Sequence, residues 1–287
     1  GSRGIMSFDY INFSEVTRQQ VLERFVKYDA TQSGGSGPLL EGGISGFRDV
    51  GIQLFDEIKL SDKWEATWAT AIGNGSSLNS LDNDDNKDIY LRAQLAYVFD
   101  GVKRGGPRRE DIKLFAWSQM GDRQFDANND GTFEEYERNR YGAGFHFYKQ
   151  PYRFSGEYIA GNGMVFDGVT NAVQDPDTTK QTFKPRMAPG DDNEFDGWYL
   201  EGGYFLIPNK LGVQARFDRL NRMTNSKTRY RQFDTWTVGL QYWNHPAKGQ
   251  FMLNYRIRDL EAPDLPSSHK ANKIGDTMGN EIGLQYF

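Results

Sequence analysis

The chain is written in short segments of alternating apolar and polar residues. In segment 211–219, Leu211, Val213, Ala215 and Phe217 oppose Gly212, Gln214, Arg216 and Asp218. In segment 250–258, Phe251, Leu253, Tyr255 and Ile257 oppose Met252, Asn254, Arg256 and Arg258. A period of two places each set on its own face of an extended strand. The same rhythm marks 50–58, 64–72, 88–99, 111–119, 138–148, 152–160, 197–206, 233–243 and the closing 279–287, eleven segments in all. In the last, Ile282, Leu284 and Tyr286 share a face and the terminal Phe287 falls on the other parity. These segments predict an all-β fold.

The connections between segments alternate in length. Stretches 59–63, 149–151, 207–210 and 244–249 are short, 73–87, 161–196, 220–232 and 259–278 are long, and 100–110 is intermediate on the short side. Short turns at one end and long loops at the other are the pattern of a transmembrane antiparallel β-barrel, whose tight turns are periplasmic and whose long loops are external. A mean hydropathy of -0.72 and 37% hydrophobic residues exclude a helical membrane protein, which needs about 18 consecutive apolar residues per span. A barrel strand needs only every second residue apolar, and 14% aromatic residues with 32 Gly suit its girdles and turns. The net charge of -5 argues against a nucleic-acid partner, and the absence of Cys excludes disulfide and thiol chemistry. No apolar leader core is visible at Gly1-Ser2-Arg3-Gly4.

Residues 1–287 are expected to form one barrel domain, with 50–287 supplying the strands. Segment 1–49 is expected to be loop, either a constriction segment folded into the bore (13–28, with Arg18, Arg24 and Lys27) or a twelfth strand at 21–29. An odd strand count cannot close an antiparallel barrel, so either that segment or strands preceding Gly1 must complete it.

Stretches 8–25 (FDYINFSEVTRQQVLERF), 47–54 (FRDVGIQL) and 83–97 (NDDNKDIYLRAQLAY), with 249–255 and the terminal strand, give the chain a resemblance to the phosphate-selective porins O and P. That resemblance implies a sixteen-stranded barrel, a homotrimer in the bacterial outer membrane, and an arginine-lined pore for phosphate or other small anions. It also implies that the family's first strands precede Gly1. The polar strand faces offer Arg92, Lys113, Arg140, Arg153, Arg216, Arg256 and Arg258 as pore-lining candidates, interleaved with Glu65, Glu157, Glu201, Asp218 and Glu281. Guanidinium groups present fixed donors to anions. Interleaved charges can equally pair across the wall, so passive diffusion of general or anionic solutes is the expectation.

The sharpest local motif is 126–137, DANNDGTFEEYE, which fits D-x-[DN]-x-[DN]-G-x5-E. Asp126, Asn128, Asp130, the Thr132 carbonyl and Glu137 would ligate Ca2+, and Gly131 would allow the sharp turn. Without flanking helices the ion would be structural, in an external loop. The other acidic runs, 82–88 and 191–194, are expected to be solvated turns. His146, His245 and His269 have no partner at a recognisable catalytic spacing, so no enzyme is expected. Two rival classes remain: a non-permeating barrel sheathing a partner protein, and a soluble calcium-binding β-protein.

Overall fold

The computed structural model describes residues 39–40, 50–75, 85–102, 109–126, 131–167, 186–188, 190–245, 249–269, 271–273 and 280–286. Its strands are β1 (Leu39–Leu40), β2 (Gly51–Lys59), β3 (Trp64–Gly73), β4 (Asp88–Val98), β5 (Asp111–Met120), β6 (Asp122–Asp126), β7 (Glu134–Lys149) and β8 (Tyr152–Gly163). They continue as β9 (Val165–Asp167), β10 (Arg186–Ala188), β11 (Glu194–Ile207), β12 (Leu211–Arg222), β13 (Arg231–His245), β14 (Gly249–Glu261) and β15 (Glu281–Tyr286). The fold is all-β. Among the described residues no helix is long and apolar enough to cross a membrane, which does not bear on crossing by strands.

Eleven strands lie side by side in one antiparallel sheet, in the order β15-β14-β13-β12-β11-β8-β7-β5-β4-β3-β2. Among the described residues the outer strands β2 and β15 are not paired with each other. β6 continues β5 past Gly121 and ladders onto the first residues of β7, from Asp122↔Glu137 to Phe125↔Glu134. A Cβ at Gly121 would stand 1.9 Å from Asp88 Oδ1, so only glycine lets the chain turn there against that carboxylate. β9 and β10 form a separate two-stranded ladder.

The two faces of the sheet are distributed opposite to those of a water-soluble sheet. Alternate residues facing one way are apolar and exposed: Trp198, Leu200 and Tyr204 on β11, Trp236, Val238 and Leu240 on β13, Leu253 and Ile257 on β14. On β11 this set runs from Trp198 to Leu206, about 27 Å of strand. It stops abruptly at the loop end, where Asp196, Arg219, Asp234 and Asp259 take over the outward positions. Asp56 on the edge strand β2 is the one charge inside this band among the described residues.

Aromatic rings border the band. At the turn end, Trp64, Tyr97, Phe99, Phe147 and Phe154 touch in sequence at 5.1, 5.7, 5.9 and 5.9 Å. At the loop end, Trp198, Phe217 and Trp236 do the same at 5.1 and 4.8 Å. Such pairs prefer tilted or edge-on contact, as found here.

The opposite face is polar and covered. Asp218, Thr235 and Arg231 are at 0% exposure, Arg140 at 2% and Arg256 at 5%. Near its loop end an apolar cluster interrupts it. Ile159, Leu220, Phe233 and Leu260 come into one cross-strand row through Gly197, and Val165 of β9 and Met223 pack over them. The β9 end of the 164–193 connection therefore lies on the polar side of the sheet.

Candidate functional site

The polar face is built by parity. Each strand alternates, so a charge placed at an even step from a neighbour in register joins the same surface. One cross-strand row illustrates this: Lys113↔His146↔Ser155↔Glu201↔Arg216↔Thr237↔Arg256 crosses seven strands. All seven arginine and lysine candidates, Arg92, Lys113, Arg140, Arg153, Arg216, Arg256 and Arg258, fall on this face.

They are not equivalent. Arg140 is built into the sheet: it donates to the carbonyls of Asn139 (2.8 Å), Asn162 (3.0 Å) and Met164. Its guanidinium also stacks on Phe195 at 4.7 Å. The stack crosses β8 at Gly161, where a Cβ would lie 2.4 Å from the Phe195 ring, so a larger residue would push the two apart. Arg92 lies over Phe115 at 4.5 Å. Lys113 is 3.5 Å from Asp111 and keeps 31% of its side chain exposed. Arg256 is buried and Arg258 half-buried on β14.

The densest charge cluster joins β8, β11 and β12. Arg216 Nε donates to Asp218 Oδ1 at 2.9 Å, and its guanidinium rests on the Tyr199 ring at 3.7 Å. Glu201 lies between Arg216 (3.4 Å) and Arg153 (3.3 Å). Arg153 also donates to Gln214 Oε1, which in turn accepts from Gln241 Nε2 at 2.7 Å. Glu157 accepts from Trp117 Nε1 at 2.7 Å. Tying charges across neighbouring strands in this way stiffens the sheet and cancels much of its field.

Several charged groups escape sequence reading. Arg109, from the 100–110 connection, donates to both Glu65 oxygens at 3.0 Å and to Asp111 at 2.8 Å. Asp88 accepts from Arg123 twice at 2.7 Å, from Gln119 at 2.6 Å and from Tyr90 at 2.8 Å. Arg222 and Arg231 belong to strands that run further into the loop end than alternation alone suggests. Arg222 over Phe233 at 4.8 Å hints at the signal that was there, an arginine two steps beyond an aromatic position across the ladder.

The acidic 126–137 stretch is divided between strands. Asp126 ends β6, Thr132 is exposed, and Glu137 is a β7 residue whose carboxylate accepts from Asn139 at 2.9 Å and Asn162 at 3.0 Å. Asn128 and Asp130 lie outside the described residues, as does all of segments 1–38 and 41–49. Glu137 sits three residues beyond Glu134 on β7, about 10 Å down the strand. Among the described residues no group of three or more His, Asp or Glu is arranged to hold a metal.

His146 stacks flat on Phe115 at 5.1 Å, and His269 Nδ1 accepts from the Ala271 amide at 3.2 Å. No family model, no curated protein and no solved structure matches the chain.

Proposed function

We propose that this chain forms most of the wall of a transmembrane β-barrel in an outer membrane and that the barrel is a passive diffusion channel for small hydrophilic solutes, with a preference for anions. The inverted sheet carries the reading. Thirty-five large apolar side chains are exposed among the described residues, and most share one face. That is a patch on the order of 2,000 Å², against the few hundred typical of a soluble monomer. Lipid is the solvent that makes such a face favourable, and two aromatic borders at a membrane-compatible spacing fit its two interfaces.

Closure follows from strand direction. Eleven antiparallel strands leave β2 and β15 running the same way, so an odd number of further strands must lie between them. The resemblance to the phosphate-selective porins, with sixteen strands, leaves five. That resemblance also favours a homotrimer among outer-membrane lipids. The polar face would then line the bore, with Lys113 and Arg153, each 31% exposed, reaching into it and Arg216 at 11% beside them. A structural Ca2+ at 126–137 is a separate proposal, in which Glu137 Oε2 would exchange the Asn139 and Asn162 amides for the ion.

Planar-bilayer conductance of the full-length protein tests this. Stepwise ohmic insertions with an anion-favouring reversal potential are expected. A detergent-free soluble protein, or one that inserts without conducting, would sink the channel, and the second outcome would favour a sheath.

A further inference from the structure

The inner-face charges differ sharply in how far they reach from the wall. Glu65, Asp111 and Asp218 keep 3, 4 and 0% of their side chains exposed, and Glu157 is 7% exposed. Glu201 keeps 19%. It stands between Arg153, with 31% of its side chain exposed, and Arg216, with 11%. Its two contacts, 3.3 and 3.4 Å, are long for charge-assisted hydrogen bonds, which usually close to about 2.7–2.9 Å. The arginines do not depend on it for their positions. Asp218 and the Tyr199 ring hold Arg216, and Gln214, braced by Gln241, holds Arg153.

From this geometry we infer that Glu201 is a specificity-determining residue: it is an internal counter-anion that occupies, loosely, the place where two prepositioned guanidinium groups would otherwise engage a solute carboxylate or phosphate. The inference rests on the channel reading above. Glu201 lowers the anion preference of this sector and keeps passing anions from being trapped. Removing its charge exposes a two-arginine anion site without rebuilding the wall.

Reversal potentials across a KCl gradient, measured on the parent protein, Glu201→Gln, Glu201→Asp and Arg153→Gln, test it. A unit charge about 4 Å from a passing ion changes its partition about fivefold even in water, so Glu201→Gln raises the chloride-to-potassium permeability ratio by at least that factor. Glu201→Asp stays near the parent and Arg153→Gln shifts the ratio the other way. Asp234→Asn, on the opposite face, leaves it unchanged. A parent that gives no conductance refutes the channel and the assignment together. A conducting parent whose Glu201→Gln and Arg153→Gln ratios move by less than about twofold refutes the assignment of Glu201 alone.

Discussion

At the scale of single residues, the polar face separates charges that brace the sheet from charges that reach beyond it. Asp88 belongs to the first kind. It is fully buried and takes four hydrogen bonds, two of them from Arg123, so it anchors the kinked β5–β6 strand to β4. Breaking one side of a buried pair leaves an uncompensated charge and costs about 3–5 kcal/mol. Arg123→Leu is therefore expected to destabilise the protein by about that much and to open 121–137 to protease, which denaturant titration with limited proteolysis checks. Asp62 is the contrasting case. Its hydrogen bond to Lys59 at 2.9 Å holds its carboxyl below the usual 3.8, yet it is 97% exposed. A carboxyl depressed in the folded state contributes stability above its unfolded value and loses it as pH falls through the folded one. Asp62→Asn should therefore differ from the parent fully above about pH 4, with the difference fading as pH falls further, and only slightly, because exposed pairs contribute little. Acid-unfolding curves of the two would show it.

At the scale of elements, the outward band and the inner apolar row make opposite demands on substitution. An exposed leucine on a soluble sheet can become arginine within about 0.5 kcal/mol. Leu240, 42% exposed near the middle of the β13 band, should instead cost about 2–4 kcal/mol as Leu240→Arg in lipid vesicles, read from unfolding midpoints. Leu220, fully buried in the inner row under Val165 and Met223, should cost about 2–5 kcal/mol as Leu220→Ala through the cavity left behind. The strands of the sheet were legible because their alternation is strict. Their loop-end boundaries were not: β12 runs on to Arg222 and β13 begins at Arg231, where Leu220 and Phe233 put apolar residues on the polar face and break the pattern. β6 was hidden by Gly121, and β9 and β10 by their length of three residues each. Parity placed all seven candidate cations on one face, but it did not show what pairs with Glu65, Asp111 and Asp88, since Arg109 and Arg123 reach those carboxylates from a connection and from beyond a kink.

For the whole molecule, the central claim is that the apolar face meets lipid and the polar face meets water. The two soluble-protein expectations, polar residues outward and apolar residues covered, are both reversed in the same sheet, and a single change of solvent accounts for both. The chain has no Cys, so single cysteines for spin labelling can be placed without background. The direct measurement is the accessibility of nitroxides along β12 in lipid vesicles, comparing oxygen, which partitions into lipid, with a charged nickel complex, which does not. Val213, Ala215 and Phe217 are predicted to see oxygen and exclude nickel, while Gln214 and Arg216 between them see less oxygen, giving a period of two across five consecutive residues. Nickel accessibility at Val213, Ala215 and Phe217 equal to that of labels in open water would contradict the claim.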